Sequence, residues 1–132
     1  QLNIKGQYST TNVNHADYIN PTDTTSTYSF DNHTRTGYIM AALRPMFSAN
    51  KVIKNFELAA RYGNYTSPAN SIWGTKDNSL ALGLNYWLNW RTVVRFTYEA
   101  IKATNTTSTN IGGTPGAVTQ SNSMYLQFSI QL

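Results

Sequence analysis

Leu80-Ala81-Leu82-Gly83-Leu84-Asn85-Tyr86 and Met124-Tyr125-Leu126-Gln127-Phe128-Ser129-Ile130-Gln131-Leu132 are the two stretches whose reading decides how this chain folds. In both, apolar and polar residues alternate step by step. A period of two residues is the mark of a β-strand with one oily face and one polar face. Strands of ten or so residues with this pattern suit a bilayer better than a small soluble core.

Working outward, the bulk composition supports the same reading. Only 12% of the 132 residues are charged, about half the usual soluble fraction. Nine Tyr, five Phe and three Trp make the chain rich in aromatics. No cysteine is present, which excludes disulfides and thiolate metal sites. The net charge is +4, but the basic residues look scattered along the chain, and no basic run or RNA-binding motif argues for nucleic acid. No run of 18 apolar residues suggests a transmembrane helix. Strand-like sequence follows Gln1 directly, so the expectation is a mature chain or a piece that begins inside a larger protein.

Six strands are predicted, at about residues 2–13, 35–45, 54–65, 78–88, 92–102 and 121–132. Residues 14–34, 66–77 and 103–120 read as long polar loops, with Tyr28-Ser29-Phe30 as a strand extension or an inward-folded segment. Long connections after strands one, three and five and short ones after two and four fit an up-and-down outer-membrane barrel. The second strand is apolar on both sides, and its facing stays open. For strands four and five, a three-residue turn at Asn89-Trp90-Arg91 sets Tyr86 against Val94, Leu84 against Phe96 and Leu82 against Tyr98. It also sets Asn85 against Arg95. A two-residue turn would oppose Leu84 to Arg95, an outward residue to an inward one, and is disfavoured.

The polar face then carries Lys5, Glu57, Arg61, Arg95 and Glu99, plus Arg44 on one facing of the second strand. These are candidate channel-lining residues. The competing structural reading makes them cross-strand braces. Tyr62, Tyr86, Trp90 and Phe128 are candidates for an aromatic girdle at the membrane interfaces, with Tyr65 and Trp73 assigned either to a girdle or to loop packing. His15, His33, Asp17, Asp23 and Asp31 share the first loop, but their spacing matches no metal-ligand pattern. No nucleophile motif is present, and neither an enzyme nor a cofactor is expected.

Glu57-Leu58-Ala59-Ala60-Arg61-Tyr62, then Asn78-Ser79-Leu80-Ala81-Leu82-Gly83-Leu84-Asn85-Tyr86-Trp87-Leu88-Asn89, then Val94-Arg95-Phe96-Thr97-Tyr98 resemble the C-terminal part of the phosphate-selective (O/P-type) porin family. The resemblance implies an all-β, antiparallel transmembrane barrel of about 16 strands, of which this chain would be a six-stranded segment. It also implies a bacterial outer-membrane location and a channel for small hydrophilic solutes, anions such as phosphate foremost. The implied partners are lipid and lipopolysaccharide, the remaining strands of the barrel or identical chains, and a homotrimer. Two features depart from the family pattern: the small strand number, and Leu132 where such barrels commonly end in an aromatic residue. The rival readings are a soluble β-sandwich for adhesion or ligand binding, whose apolar face packs on a second sheet of the same chain, and a non-conducting outer-membrane scaffold.

Overall fold

The computed structural model describes residues 1–20, 23–69, 71, 73–107 and 114–130. It is one antiparallel sheet of six strands in sequence order: β1 (Leu2–Asn20), β2 (Asp23–Leu43), β3 (Phe56–Thr66), β4 (Thr75–Asn89), β5 (Thr92–Asn105) and β6 (Val118–Ile130). A four-residue helix, α1 (Lys51–Lys54), sits between β2 and β3. The Asn50 side chain caps it by accepting a hydrogen bond from the Val52 amide at 2.9 Å. The last two residues of the sixth predicted strand, and Gly112-Gly113 of the third predicted loop, lie outside the described residues.

The registers sort the side chains into two faces. Leu2, Leu43, Leu58, Leu84, Phe96 and Leu126 stand opposite one another in turn across all six strands. Every member of that row is apolar, and each is between 39% and 78% exposed. The neighbouring rows, Ile4-Ala41-Ala60-Leu82-Tyr98-Met124 and Phe56-Tyr86-Val94-Phe128, continue the same face. The facing of the second strand is thereby fixed: Ile39, Ala41 and Leu43 join the apolar rows, while Tyr38, Met40 and Ala42 lie on the polar side. Among the described residues Phe30 and Val93 alone make up the buried hydrophobic set. Among the described residues no second layer covers the oily face, and the strands form one sheet rather than the two of a sandwich.

Three local expectations are corrected. Residues 14–34 are not an irregular loop: β1 and β2 continue through most of them as a paired hairpin, to Ile19 opposite Thr27. A bulge interrupts the ladder between Val13 and Ala16. There His15 takes a positive φ of 51°, and its amide donates to Asp31 Oδ1 at 3.1 Å. Histidine is among the non-glycine residues that tolerate this region.

The β4–β5 turn has two residues, Trp90 and Arg91, rather than three. Asn89 pairs with Thr92, and the ladder slips by one at Leu88, after which Trp87 meets Val93 and Tyr86 meets Val94. The bulge supplies the extra residue that the three-residue turn was meant to supply, so every expected pairing from Tyr86 inward is kept.

The link between β2 and β3 is the third correction. Residues 44–55, expected to be short, are longer than the connection 67–74 between β3 and β4.

Candidate channel-lining face

On the polar face, one row runs across four strands through Glu57, Asn85, Arg95 and Gln127. The pleat places directly opposed residues about 5 Å apart, close enough for side chains of this length to link. Asn85 Nδ2 donates to Glu57 Oε1 at 2.7 Å, and Arg95 Nε donates to Asn85 Oδ1 at 3.1 Å. Arg95 Nη1 donates to Gln127 Oε1 at 3.3 Å. Asn85, only 6% exposed, is the relay: its amide shows its donor to the acid and its acceptor to the base. Glu57 and Arg95, two strands apart, thus offset one another without touching.

Two rows further along the same face, past Asn3-Ala42-Ala59-Gly83-Thr97-Tyr125, come Lys5, Met40, Arg61, Ala81, Glu99 and Ser123. Ala81 stands between Arg61 and Glu99, and no direct ion pair joins them. The Arg61 guanidinium lies over the Tyr38 ring, with Cζ 4.5 Å from its centroid. A cation over an aromatic face is held by the ring quadrupole, and Arg61 stays exposed there. The middle members of the two rows, from Met40, Arg61, Ala81 and Glu99 to Glu57, Asn85, Arg95 and Gln127, line a depression of about 690 Å³ with Ala59, Gly83 and Thr97 of the row between them.

Arg44 lies one residue past β2, on the same side by alternation. Its Nε donates to the Lys54 carbonyl at 2.8 Å, and its Cζ stands 5.4 Å from the centre of the Trp87 ring. It braces the end of the wall and is not part of its middle. Of the aromatic candidates, Tyr86 and Phe128 lie in one apolar row, and the Tyr86 ring meets Phe56 at 4.8 Å. Tyr62 bounds the apolar face at its other margin, with its hydroxyl donating to Asn78 Oδ1 at 3.1 Å. Trp90 sits in the β4–β5 turn and is 72% exposed. From Phe56 to Tyr62 is six residue steps, about 20 Å of strand.

At the end of the sheet opposite the β4–β5 turn, Phe30 falls on the polar side of β2. Tyr18 stacks on it at 4.9 Å, and Trp73 meets both rings edge-on, at 4.8 Å from Tyr18 and 5.6 Å from Phe30. The connection 67–74 therefore folds inward over the polar face. Buried Ser67 and Ser71 hold it: Ser67 Oγ donates to the Trp73 carbonyl at 2.9 Å, and Ser71 Oγ to the Pro68 carbonyl at 2.7 Å. Thr107 Oγ1 donates to the Ser71 carbonyl at 2.7 Å, tying in the β5–β6 connection. Among the described residues no group of three His, Cys, Asp or Glu is placed to hold a metal.

The role of Asn85 was only half visible in the sequence. The β4–β5 hairpin pairs it with Arg95, but its contact with Glu57 needs the β3–β4 register. Tyr38 carried no signal, because the second strand is apolar on both sides.

An open antiparallel sheet with an exposed oily face and a polar, charged opposite face is a segment of a porin-type β-barrel. Residues 8–130, nearly the whole chain, match the family phosphate-selective porin O and P, and the chain belongs to that family. No curated protein and no solved structure matches it.

Proposed function

We propose that this sheet is part of the wall of a bacterial outer-membrane channel through which small hydrophilic solutes diffuse passively, with a preference for anions, phosphate among them. The apolar row from Leu2 to Leu126, exposed on all six strands, carries the reading. Lipid covers that face, and water fills the space over the other. In hydrocarbon each unsatisfied backbone group costs several kcal/mol. The free edges of β1 and β6 therefore pair with further strands of a larger barrel, about 16 in all. The protein does no chemistry; it supplies a bore and a field.

On the wall the field is modest. Lys5, Arg61 and Arg95 face Glu57 and Glu99, and the relay through Asn85 ties Arg95 to Glu57. Arg61, exposed and resting on the Tyr38 ring, is a cation of the middle strands open to a passing anion, as is the exposed Lys5 at the β1 end of the same row. In planar bilayers the complete pore carrying Arg61→Gln is expected to lose more anion preference, read as a reversal-potential shift under a salt gradient, than one carrying Arg95→Gln. Equal shifts, or none for Arg61→Gln, would remove Arg61 from this role.

A further inference from the structure

The fold gathers the chain's charge in a way that its order along the sequence hides. Ten basic and six acidic residues give the net +4. Four of the ten, Arg44, Lys51, Lys54 and Arg91, lie in the two connections at one end of the sheet, 44–55 and 90–91. The six left over equal the six acids in number. The formal excess of the whole chain thus sits at this end, and residues 44–56 and 88–92 contain no Asp or Glu. In an up-and-down sheet the β2–β3 and β4–β5 connections are neighbours at one rim, about two strand spacings or roughly 10 Å apart. That spacing is about one Debye length at 0.1 M salt, so the two connections present their charges as one patch.

The same connections expose apolar side chains. Phe47 is 87% exposed, and Met46, Val52 and Ile53 are open as well. Trp90 is exposed too, with Arg91 Cζ 4.1 Å from its ring centre. Leu88 and Leu43 carry this apolar character straight into the lipid-facing rows. Aromatic and aliphatic groups beside unopposed cations, continuous with a hydrocarbon-facing band, match a surface where acyl chains end and phosphate begins.

We infer that the 44–55 and 90–91 connections form a basic, apolar collar that binds the headgroups of anionic phospholipid in the leaflet on this side of the membrane. This rests on the membrane-barrel reading. The collar adds a lipid preference that a neutral rim would lack. Each cation near an anionic surface contributes about 1 kcal/mol, so each charge removed is expected to weaken retention of anionic lipid about fivefold.

The test uses the intact assembly purified in detergent with equal amounts of phosphatidylglycerol and phosphatidylcholine, the bound lipids being counted by native mass spectrometry. The wild-type protein should retain phosphatidylglycerol over phosphatidylcholine. The triple variant Lys51→Gln, Lys54→Gln, Arg91→Gln should lose that preference, on the order of a hundredfold. The control triple at the other end, Arg35→Gln, Lys76→Gln, Lys102→Gln, should keep it. Circular dichroism checks that each variant is folded. Should the collar triple not fold, Arg91→Gln alone and a salt titration of the wild type read the same dependence. Equal preference in wild type and collar triple, an equal loss in both triples, retention of inorganic phosphate or a soluble protein in place of lipid, or a wild-type preference indifferent to salt would each overturn the collar. A chain that stays soluble without detergent and retains no lipid would instead overturn the membrane reading itself.

Discussion

Replacing Leu82 with arginine, beside the same replacement at Ala81, separates the two faces of the sheet with a one-residue step. Leu82 lies between Ala60 and Tyr98 in the middle rows of the oily face, away from the aromatic margins at Tyr86 and Tyr62. An arginine facing lipid near the bilayer midplane costs a barrel about 2–4 kcal/mol, a factor of roughly 30 to 700 in the folding equilibrium. Ala81 points to the opposite face, between Arg61 and Glu99. There the depression of about 690 Å³ has room for the longer side chain. Repulsion from Arg61 and attraction to Glu99 largely offset each other, so Ala81→Arg should stay within about 1 kcal/mol of wild type. The assay is urea-dependent folding of the complete barrel into phosphatidylcholine vesicles, followed by tryptophan fluorescence. Leu82→Arg should lower the midpoint clearly and Ala81→Arg barely. Equal costs at the two positions, or the larger cost at Ala81, would refute the assignment of lipid and water to these faces.

Two further outcomes follow from the wall and its rim. Asn85→Ala removes both hydrogen bonds of the relay and leaves the half-buried Glu57 carboxylate without its donor, an expected loss of about 1–3 kcal/mol; a urea midpoint unchanged from wild type would make the relay incidental. Gly74→Ala places a Cβ 2.8 Å from the Pro68 carbonyl oxygen and 2.9 Å from the Thr107 amide nitrogen. Both are backbone atoms held in the inward-folded connection, so the expected cost is about 1–3 kcal/mol together with faster protease cleavage within 67–74. Wild-type resistance to cleavage would show that the connection is looser than its packing implies.

The sequence by itself determined which side chains share a face on every strand but the second, and for β4 and β5 it determined the pairing from Tyr86 inward as well. Between two strands whose oily residues must all face lipid, a register slip of one is forbidden, because it would turn every leucine toward water. That rule does not say how the turn achieves the register, and the chain does so with a two-residue turn and a bulge at Leu88. The outward reach of β1 and β2 was hidden for a related reason. Alternation records two different surroundings, and residues 14–34 are mostly polar with only scattered apolar residues such as Ile19 and Phe30, so the paired backbone there leaves no sustained period to read. Only the tertiary structure brought Glu57 to Asn85, set Tyr38 beneath Arg61, and placed Arg44, Lys51, Lys54 and Arg91 on one rim. Each of these juxtapositions joins residues from different strands or different turns. Such contacts depend on strand registers and sheet order that local sequence does not encode.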